Sequence, residues 1–333
     1  MRRSASMSGE DRLIARYFKP LARHPGAFAL DDDAAVLKIP RRHEIVLKTD
    51  AIIGGMHFYP DDPAGAVARK ALRVNLSDLA AKGAKPAGFL LALALPKGVT
   101  EKWLKEFSRG LATDARRYKC PLLGGDTDRT HGPITIAVAA FGTLPAGSMV
   151  RRQGAKVGHR IVVSGTIGDA ALGVKLRKVS SLARHWNLVP AMRAHLLGRY
   201  LLPQPRNVLA EALRAHASAA MDVSDGLAGD LAKLCRASGI AAEVDIGRVP
   251  LSAAARRVLA ADKNQIETIL TGGDDYEIVA TVAPRKLSTL LNRARAAGVP
   301  LTEIGVVVRG RGTHFRDARG RKLRFKRASF SHF

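Results

Sequence analysis

Six short stretches concentrate carboxylates, five of them beside glycine or a small hydroxyl residue. They are Asp31-Asp32-Asp33-Ala34-Ala35-Val36-Leu37, Thr49-Asp50, Asn75-Leu76-Ser77-Asp78, Gly124-Gly125-Asp126-Thr127-Asp128, Met221-Asp222-Val223-Ser224-Asp225-Gly226 and Gly272-Gly273-Asp274-Asp275-Tyr276-Glu277. Carboxylates without clustered His or Cys are hard oxygen ligands, which suit Mg2+ or Ca2+ and disfavour zinc. Magnesium uses a few carboxylates and completes its shell with water and substrate phosphates. Acids spread over several turns therefore point to several magnesium ions shared with a polyphosphate, and a nucleotide is the natural candidate. The neighbouring glycines let backbone N–H groups approach a phosphate closely. Each stretch alone also has a structural reading, because Asp is common at turns and Ser224 or Asp225 would cap a helix starting near Gly226. Six such stretches in one order are harder to derive from turn statistics.

The elements that must position these acids are apolar runs bounded by Gly, Pro or Asp. Glu44–Lys48, Phe89–Leu95, Ile134–Phe141, Arg160–Ser164, Ala241–Ile246 and Tyr276–Val282 read as strands. Helical periodicity runs through Asp11–Leu21, Ala64–Ala81, Glu101–Tyr118, Asn207–Ala217 and Gly226–Ala237. Strands and helices alternate without a strict βαβ rhythm, which predicts an α/β (α+β) chain with mixed or antiparallel sheets rather than a doubly wound parallel one. The loop Gly142–Ser148 is the expected boundary between an N-terminal domain, 10–143, and a C-terminal domain, 149–333. Residues 1–9 read as a disordered tail.

The 333 residues carry 54 Lys and Arg against 29 Asp and Glu, a net charge of +25, and 47% are hydrophobic. That composition excludes a wholly disordered chain. The longest strongly apolar run, Gly88–Pro96, is less than half of the ~20 residues a membrane-spanning helix needs. Only Cys120 and Cys235 are present, far apart, so neither a disulfide scaffold nor a structural zinc site is supported and a cytoplasmic protein fits. The charge first suggests nucleic acid, with nine Lys/Arg between Arg309 and Arg327. Aromatics amount to only 5%, and no RNA-binding or helix-turn-helix signature accompanies them.

Taken in order, DDDAAVL, KTDAIIGGMHF, RKALRVNLSDLAAKGAKP, LLGGDTD, RRQGAKVGHRIVVSGTIGDAALG, LLPQPR, MDVSDGLAGDL and GGDDYEI closely resemble the thiamine-monophosphate kinase family, of the superfamily that includes aminoimidazole ribonucleotide synthetase. The resemblance runs from about Glu10 to the last residue. It implies a two-domain fold whose N-terminal domain binds ATP and several Mg2+ ions and pairs with a second copy through its sheet. By motif position it implies Asp33, Thr49, Asp50, Asp78, Asp126, Asp222 and Asp225 as metal ligands. It likewise implies Gly125, Asp126, Arg152 and Ser224 at ATP, and His57, Asp274 and Phe330 near thiamine monophosphate. His57 and Phe330 also have plain readings, as an ordinary histidine and as a hydrophobic anchor for the C-terminal tail.

Three positions depart from the family pattern: Asp31 stands where a glycine is usual, Lys48 where a small hydroxyl residue precedes Thr-Asp, and Asp274 where a glutamate is usual. The implied reaction passes the γ-phosphoryl group of ATP to the phosphate of thiamine monophosphate. That acceptor explains why no nucleophile or base stands out, leaving Asp78, Asp126 and Arg152 an electrostatic role. The alternatives are another ATP-dependent synthetase of the same superfamily and, from a different class, a basic nucleic-acid-binding protein.

Overall fold

The computed structural model describes residues 9–326 and Ser329, so Phe330 and all of the expected tail except Gly9 lie outside the described residues. The chain forms two compact units. One gathers the residues up to Leu79 with Lys85–Ala146; the other gathers Ala80–Ala84 with the residues from Gly147 onward. No helix of the described residues is long and apolar enough to cross a membrane.

The first unit runs α1 (Gly9–Leu13), β1 (His43–Ile53), α2 (Ala64–Ala81, whose last two residues belong to the second unit), β2 (Lys85–Leu95), α3 (Glu101–Arg117), β3 (Leu122–Arg129) and β4 (Thr135–Pro145). The strands form one sheet in the order β1-β4-β2-β3. β4 is antiparallel to both its neighbours, and β2 pairs parallel with β3 through the α3 crossover. The start of α3 is fixed by Thr100, whose hydroxyl accepts the Trp103 N–H at 3.1 Å. Its last turn carries Arg116 and Arg117, which suit the negative end of the helix. Its buried stripe is Leu104, Phe107, Leu111 and Ala115, at helical spacing. Successive strand residues face opposite ways, so Ile136, Val138 and Ala140 of β4 are buried while Ala137, Ala139 and Phe141 look out from the other face. That second face is apolar and, among the described residues, largely open, with Leu47 70% exposed and Ile14, Phe18 and Leu30 bordering it.

The second unit contains β5 (Arg160–Ser164), α4 (Asp169–Lys178), α5 (Leu182–His185), α6 (Pro190–Leu201), α7 (Ala210–His216), β6 (Ala217–Val223), α8 (Leu227–Ser238) and β7 (Ala241–Asp245). It continues with α9 (Ala253–Ala261), α10 (Gln265–Thr271), β8 (Glu277–Val282), α11 (Pro284–Ala296), β9 (Leu301–Val308) and β10 (Gly312–Arg316). Its sheet has the order β10-β7-β9-β5-β8-β6, with only β10 and β7 parallel. Both faces are covered. Ile161, Val163, Met221 and Val279 join one core, and Val162, Ala220, Ile278 and Ala280 join another. A strand buried on both faces has no polar alternation, which is why β8 reads as a continuous apolar run.

The mixed α/β architecture matches the expectation, and α2 and β5 fall where the sequence placed them. Several local expectations are corrected. Asp11–Leu21 is not one helix: after α1 it passes through a wide turn, Ile14–Phe18, and a tight one, Lys19–Leu21, where Pro20 removes a backbone donor. Gly142, expected to begin a connecting loop, is still in β4 opposite Val46. Three of the supposed acid turns lie within strands, Thr49-Asp50 in β1, Asp126 in β3 and Asp222 in β6, whereas Asp78 sits in α2 where the helical periodicity placed it. β1, β3 and β6 are sheet edges; Asp50 and Asp126 keep access to solvent there, whereas Asp222 on β6 is buried.

Candidate active site

In the first unit β1 and α2 bring together Lys48, Asp50 and Asp78. The Lys48 ammonium lies 2.9 Å from Asp50 Oδ1 and 3.0 Å from Asp78 Oδ2. Lys48 and Asp50 share a face of β1 because they are two residues apart. Their side chains are 28% and 40% exposed, and that of Asp78 is 18% exposed. Burial acts to lower the Lys48 pKa, but the Asp78 and Asp50 carboxylates outweigh it and hold the ammonium above its ordinary value.

Thr49 points the other way. It lines a groove of about 930 Å3 on the open sheet face together with Asp33, Gly125, Asp126, Leu47 and Phe141. Asp126 is fixed by accepting the Thr127 N–H at 2.8 Å. A Cβ at Gly125 would sit 1.9 Å from the Leu91 carbonyl oxygen, so only glycine permits β3 to pair here. Thr49 and Asp126 occupy opposite edges of a four-stranded sheet, three strand spacings or roughly 14 Å apart. A single ion cannot take both as ligands within one chain.

His57 follows β1. Its Nδ1 accepts the Ile53 N–H at 3.0 Å, which leaves the ring proton on Nε2. Its carbonyl accepts from the buried Lys70 ammonium at 3.1 Å. The sequence reading missed Lys70, although a lysine among the apolar positions of α2 was the available signal.

In the second unit DVSDG and GGDDYE form one packed turn. Asp274 N donates to the Ser224 carbonyl at 2.7 Å and Tyr276 N donates to the Val223 carbonyl at 2.8 Å. Asp274 and Tyr276 both adopt left-handed backbone, with φ of 63° and 51°, so the turn is held against its local preference. Asp222 lies in β6 opposite Ile278. Asp230, which sequence reading passed over, is fully buried and accepts the N–H groups of Ser224 at 2.9 Å and Asp225 at 2.8 Å. Burial raises the Asp230 pKa. Its other oxygen accepts from Lys233 at 2.8 Å, and Lys233 also pairs with Asp225. Behind the turn, Glu277 accepts from Ser164 at 2.6 Å, from Arg199 at 2.9 Å and from Arg206 Nε at 2.6 Å. Arg152 is not brought to Ser224. Its carbonyl accepts from Ser238 at the far end of α8, a 12-residue helix about 18 Å long.

Among the described residues no group of three or more His, Cys, Asp or Glu converges as a ready metal cage. The Asp50–Asp78 pair nevertheless fits magnesium. Two hard carboxylates already hold a cation between them, and Mg2+ needs only one or two protein carboxylates when phosphates and water supply the rest.

Residues 31–144 match the family model described as AIR synthase related protein, N-terminal domain, and residues 156–317 match its C-terminal domain. These matches define the class: a two-domain AIR synthase related protein. A thiamine-monophosphate kinase from Caulobacter vibrioides is 44% identical over 303 residues, 90% of this chain and 84% of that protein. The crystal structure of thiamine-monophosphate kinase from Stenotrophomonas maltophilia K279a superposes with a TM-score of 0.81 at 39% identity, covering 92% of this chain and 94% of that one. A structure described as AaThiL complexed with AMPPCP and TMP matches with a TM-score of 0.77 at 30% identity over 91% of each chain. Within that class the chain belongs to the thiamine-monophosphate kinase family.

Proposed function

We propose that this protein transfers the γ-phosphoryl group of ATP to the phosphate of thiamine monophosphate, giving thiamine diphosphate and ADP, in a magnesium-dependent reaction. The observation that carries the reading is that every acid assigned here to metal or substrate lies inside the two matched domains of a chain 44% identical to a thiamine-monophosphate kinase. Arg152 falls between the two matched segments and Phe330 beyond them, so these two assignments rest on motif position alone.

The acceptor is a phosphate monoester whose second pKa is near ~6, so it is largely dianionic at neutral pH. No side chain has to take its proton, and the protein's work is to position two anions and offset their repulsion. Bound magnesium supplies the positive charge that lets them meet. The ligands assigned to it are Asp33, Thr49, Asp50, Asp78, Asp126, Asp222 and Asp225. In the first unit these split into an acid pair on one sheet face and a groove-lining set on the other, which calls for more than one ion. Gly125, Asp126, Arg152 and Ser224 contact ATP, and His57, Asp274 and Phe330 contact the acceptor. His57 suits its role because the Ile53 N–H fixes its ring. Transfer is direct and in line, without a phosphoenzyme.

Residues 10–143 form the ATP- and magnesium-binding half in this reading and 149–333 the C-terminal half. The largely open apolar sheet face of the first unit, with Ile45, Leu47 and Phe141, is the surface through which two copies pair. The protein works in the cytoplasm. The purified chain is expected to form thiamine diphosphate from ATP, Mg2+ and thiamine monophosphate in a coupled assay. No product from well-folded protein overturns the reading, and γ-phosphate label trapped covalently on the chain during turnover overturns direct transfer.

A further inference from the structure

Lys48 has no part in the metal reading above, yet its ammonium sits on the carboxylates that reading assigns. Its Nζ makes two contacts, 2.9 Å to Asp50 Oδ1 and 3.0 Å to Asp78 Oδ2, one acid from its own strand and one from α2. The lysine is tied by its backbone to β1, where it pairs with Ala140, two residues before Asp50. The ammonium is therefore delivered within the chain, and its effective concentration at the two acids does not depend on the solution. A divalent ion seeking the same oxygens arrives from solvent and meets a positive charge already in place. Two cations a few ångströms apart on one carboxylate pair repel strongly, so they exclude one another.

The place is open to exchange. Lys48 and Asp78 are partly exposed and Asp50 more so, so the ammonium can be displaced into water without leaving a buried charge behind. The Lys233 pair provides the contrast, since its Asp230 is fully buried and committed to two backbone N–H groups.

We propose that Lys48 is a tethered counter-ion that sets the divalent-cation affinity of the Asp50–Asp78 pair, so that metal enters there only by displacing the ammonium. The inference rests on the magnesium reading of those two acids. It makes Lys48 a residue that determines how much free divalent ion this chain needs, and it assigns a consequence to the one basic residue next to the Thr49-Asp50 step.

The test is Mn2+ binding to the full chain, standing in for Mg2+ and read by the paramagnetic signal of the free ion with no nucleotide present. The proteins compared are the wild type, Lys48→Met, Lys48→Arg and the double variant Lys48→Met/Asp78→Asn. Lys48→Met is expected to bind Mn2+ at least fivefold more tightly than wild type, and Lys48→Arg, which keeps the charge, to bind as weakly as wild type. The gain is expected to vanish in the double variant. Equal affinity in wild type and Lys48→Met overturns the inference while leaving the metal reading standing. So does a gain that survives Asp78→Asn, or one that appears equally in Lys48→Arg. Absence of Mn2+ binding by every protein, with and without a non-hydrolysable ATP analogue, overturns the metal reading and the inference with it. Far-UV circular dichroism on each variant separates lost binding from lost folding, and Lys48→Gln, which also removes the charge and is read by the same outcomes, replaces Lys48→Met if that variant does not fold.

Discussion

Lys48 in the first unit and Lys233 in the second each place one ammonium between two aspartates, and the two triads differ in what their acids are already doing. Lys48 joins Asp50 and Asp78, both partly exposed. Lys233 joins Asp225, 35% exposed, to Asp230, which is fully buried and accepts the backbone N–H groups of Ser224 and Asp225. A buried carboxylate holding two backbone donors cannot exchange partners without unsatisfying them, so the second triad builds the turn that presents Ser224 and Asp225. The first triad exchanges its cation at little structural cost. Similar charges at similar spacing thus serve as scaffold in one unit and, on the proposed magnesium reading, as an exchangeable cation site in the other, and burial makes the difference.

The strongest way to break this contrast is to remove one acid from each triad. Asp78→Asn is expected to lower turnover at least a hundredfold while leaving the thermal midpoint within about 2 °C of wild type, because a partly exposed ion pair contributes only about 0–1 kcal/mol to stability. Steady-state kinetics and a thermal scan of the same preparation check this, and near-normal turnover means Asp78 is no metal ligand. Asp230→Ala is expected to act through the fold. It removes the buried acceptor of two N–H groups and one of the two carboxylates on Lys233, a loss of about 3 kcal/mol by urea denaturation. If Asp230→Ala kept the stability of wild type, the scaffold reading of the second triad would fail.

A gentler version exchanges the lysines. Lys233→Met leaves two carboxylates facing each other, one of them buried, and is expected to cost about 2 kcal/mol. Lys48→Met leaves two solvated ones and is expected to stay within about 1 kcal/mol of wild type. Urea midpoints for the pair of variants check the ranking, and equal losses would mean that burial does not separate the triads.

Much of this was legible in the sequence, for identifiable reasons. α2 and α3 announce themselves through long periodic stretches, and β5 through a short β-branched run between turns. β3 was not legible: LLGGDTDR has two glycines and two aspartates, and it forms a strand because β2 offers a parallel edge that only a residue without Cβ at position 125 can approach. The chemical type of the site was plain from its acids, whereas its geometry was not. Thr49 and Asp50 are neighbours in sequence and lie on opposite faces of β1, a consequence of strand alternation that becomes visible once β1 is known to extend to Ile53. Lys48 looked in the sequence like an awkward substitution, and in the fold it is the partner of two acids. Asp230 and Lys233 were hidden because a polar residue on a helix reads as solvent-facing until the packing of that helix is known.

The smallest expected effect concerns a buried acid that has no lysine. Asp275 is fully buried, with Oδ2 accepting the Gly168 N–H at 2.8 Å and Oδ1 meeting no donor among the described residues. Burial pushes its pKa well above the ordinary carboxylate value, although the Arg199 guanidinium nearby works against the shift. An acid with a raised folded pKa keeps its proton in the native state while the unfolded chain releases it. Its contribution to stability is therefore fully present below about pH 4 and is lost as pH rises towards the folded value. Asparagine keeps the acceptor for Gly168 and has no proton to release. Asp275→Asn is expected to be about 1 kcal/mol more stable than wild type at pH 8 and to show no advantage at pH 4, measured as urea midpoints at both values. A loss at pH 8 would mean that Asp275 is ionised in the fold and held by Arg199. The second unit would then contain a charge-neutralised acid of the Lys233 kind instead of a protonated one, and the distinction between its acids and those of the first unit would rest on exposure alone.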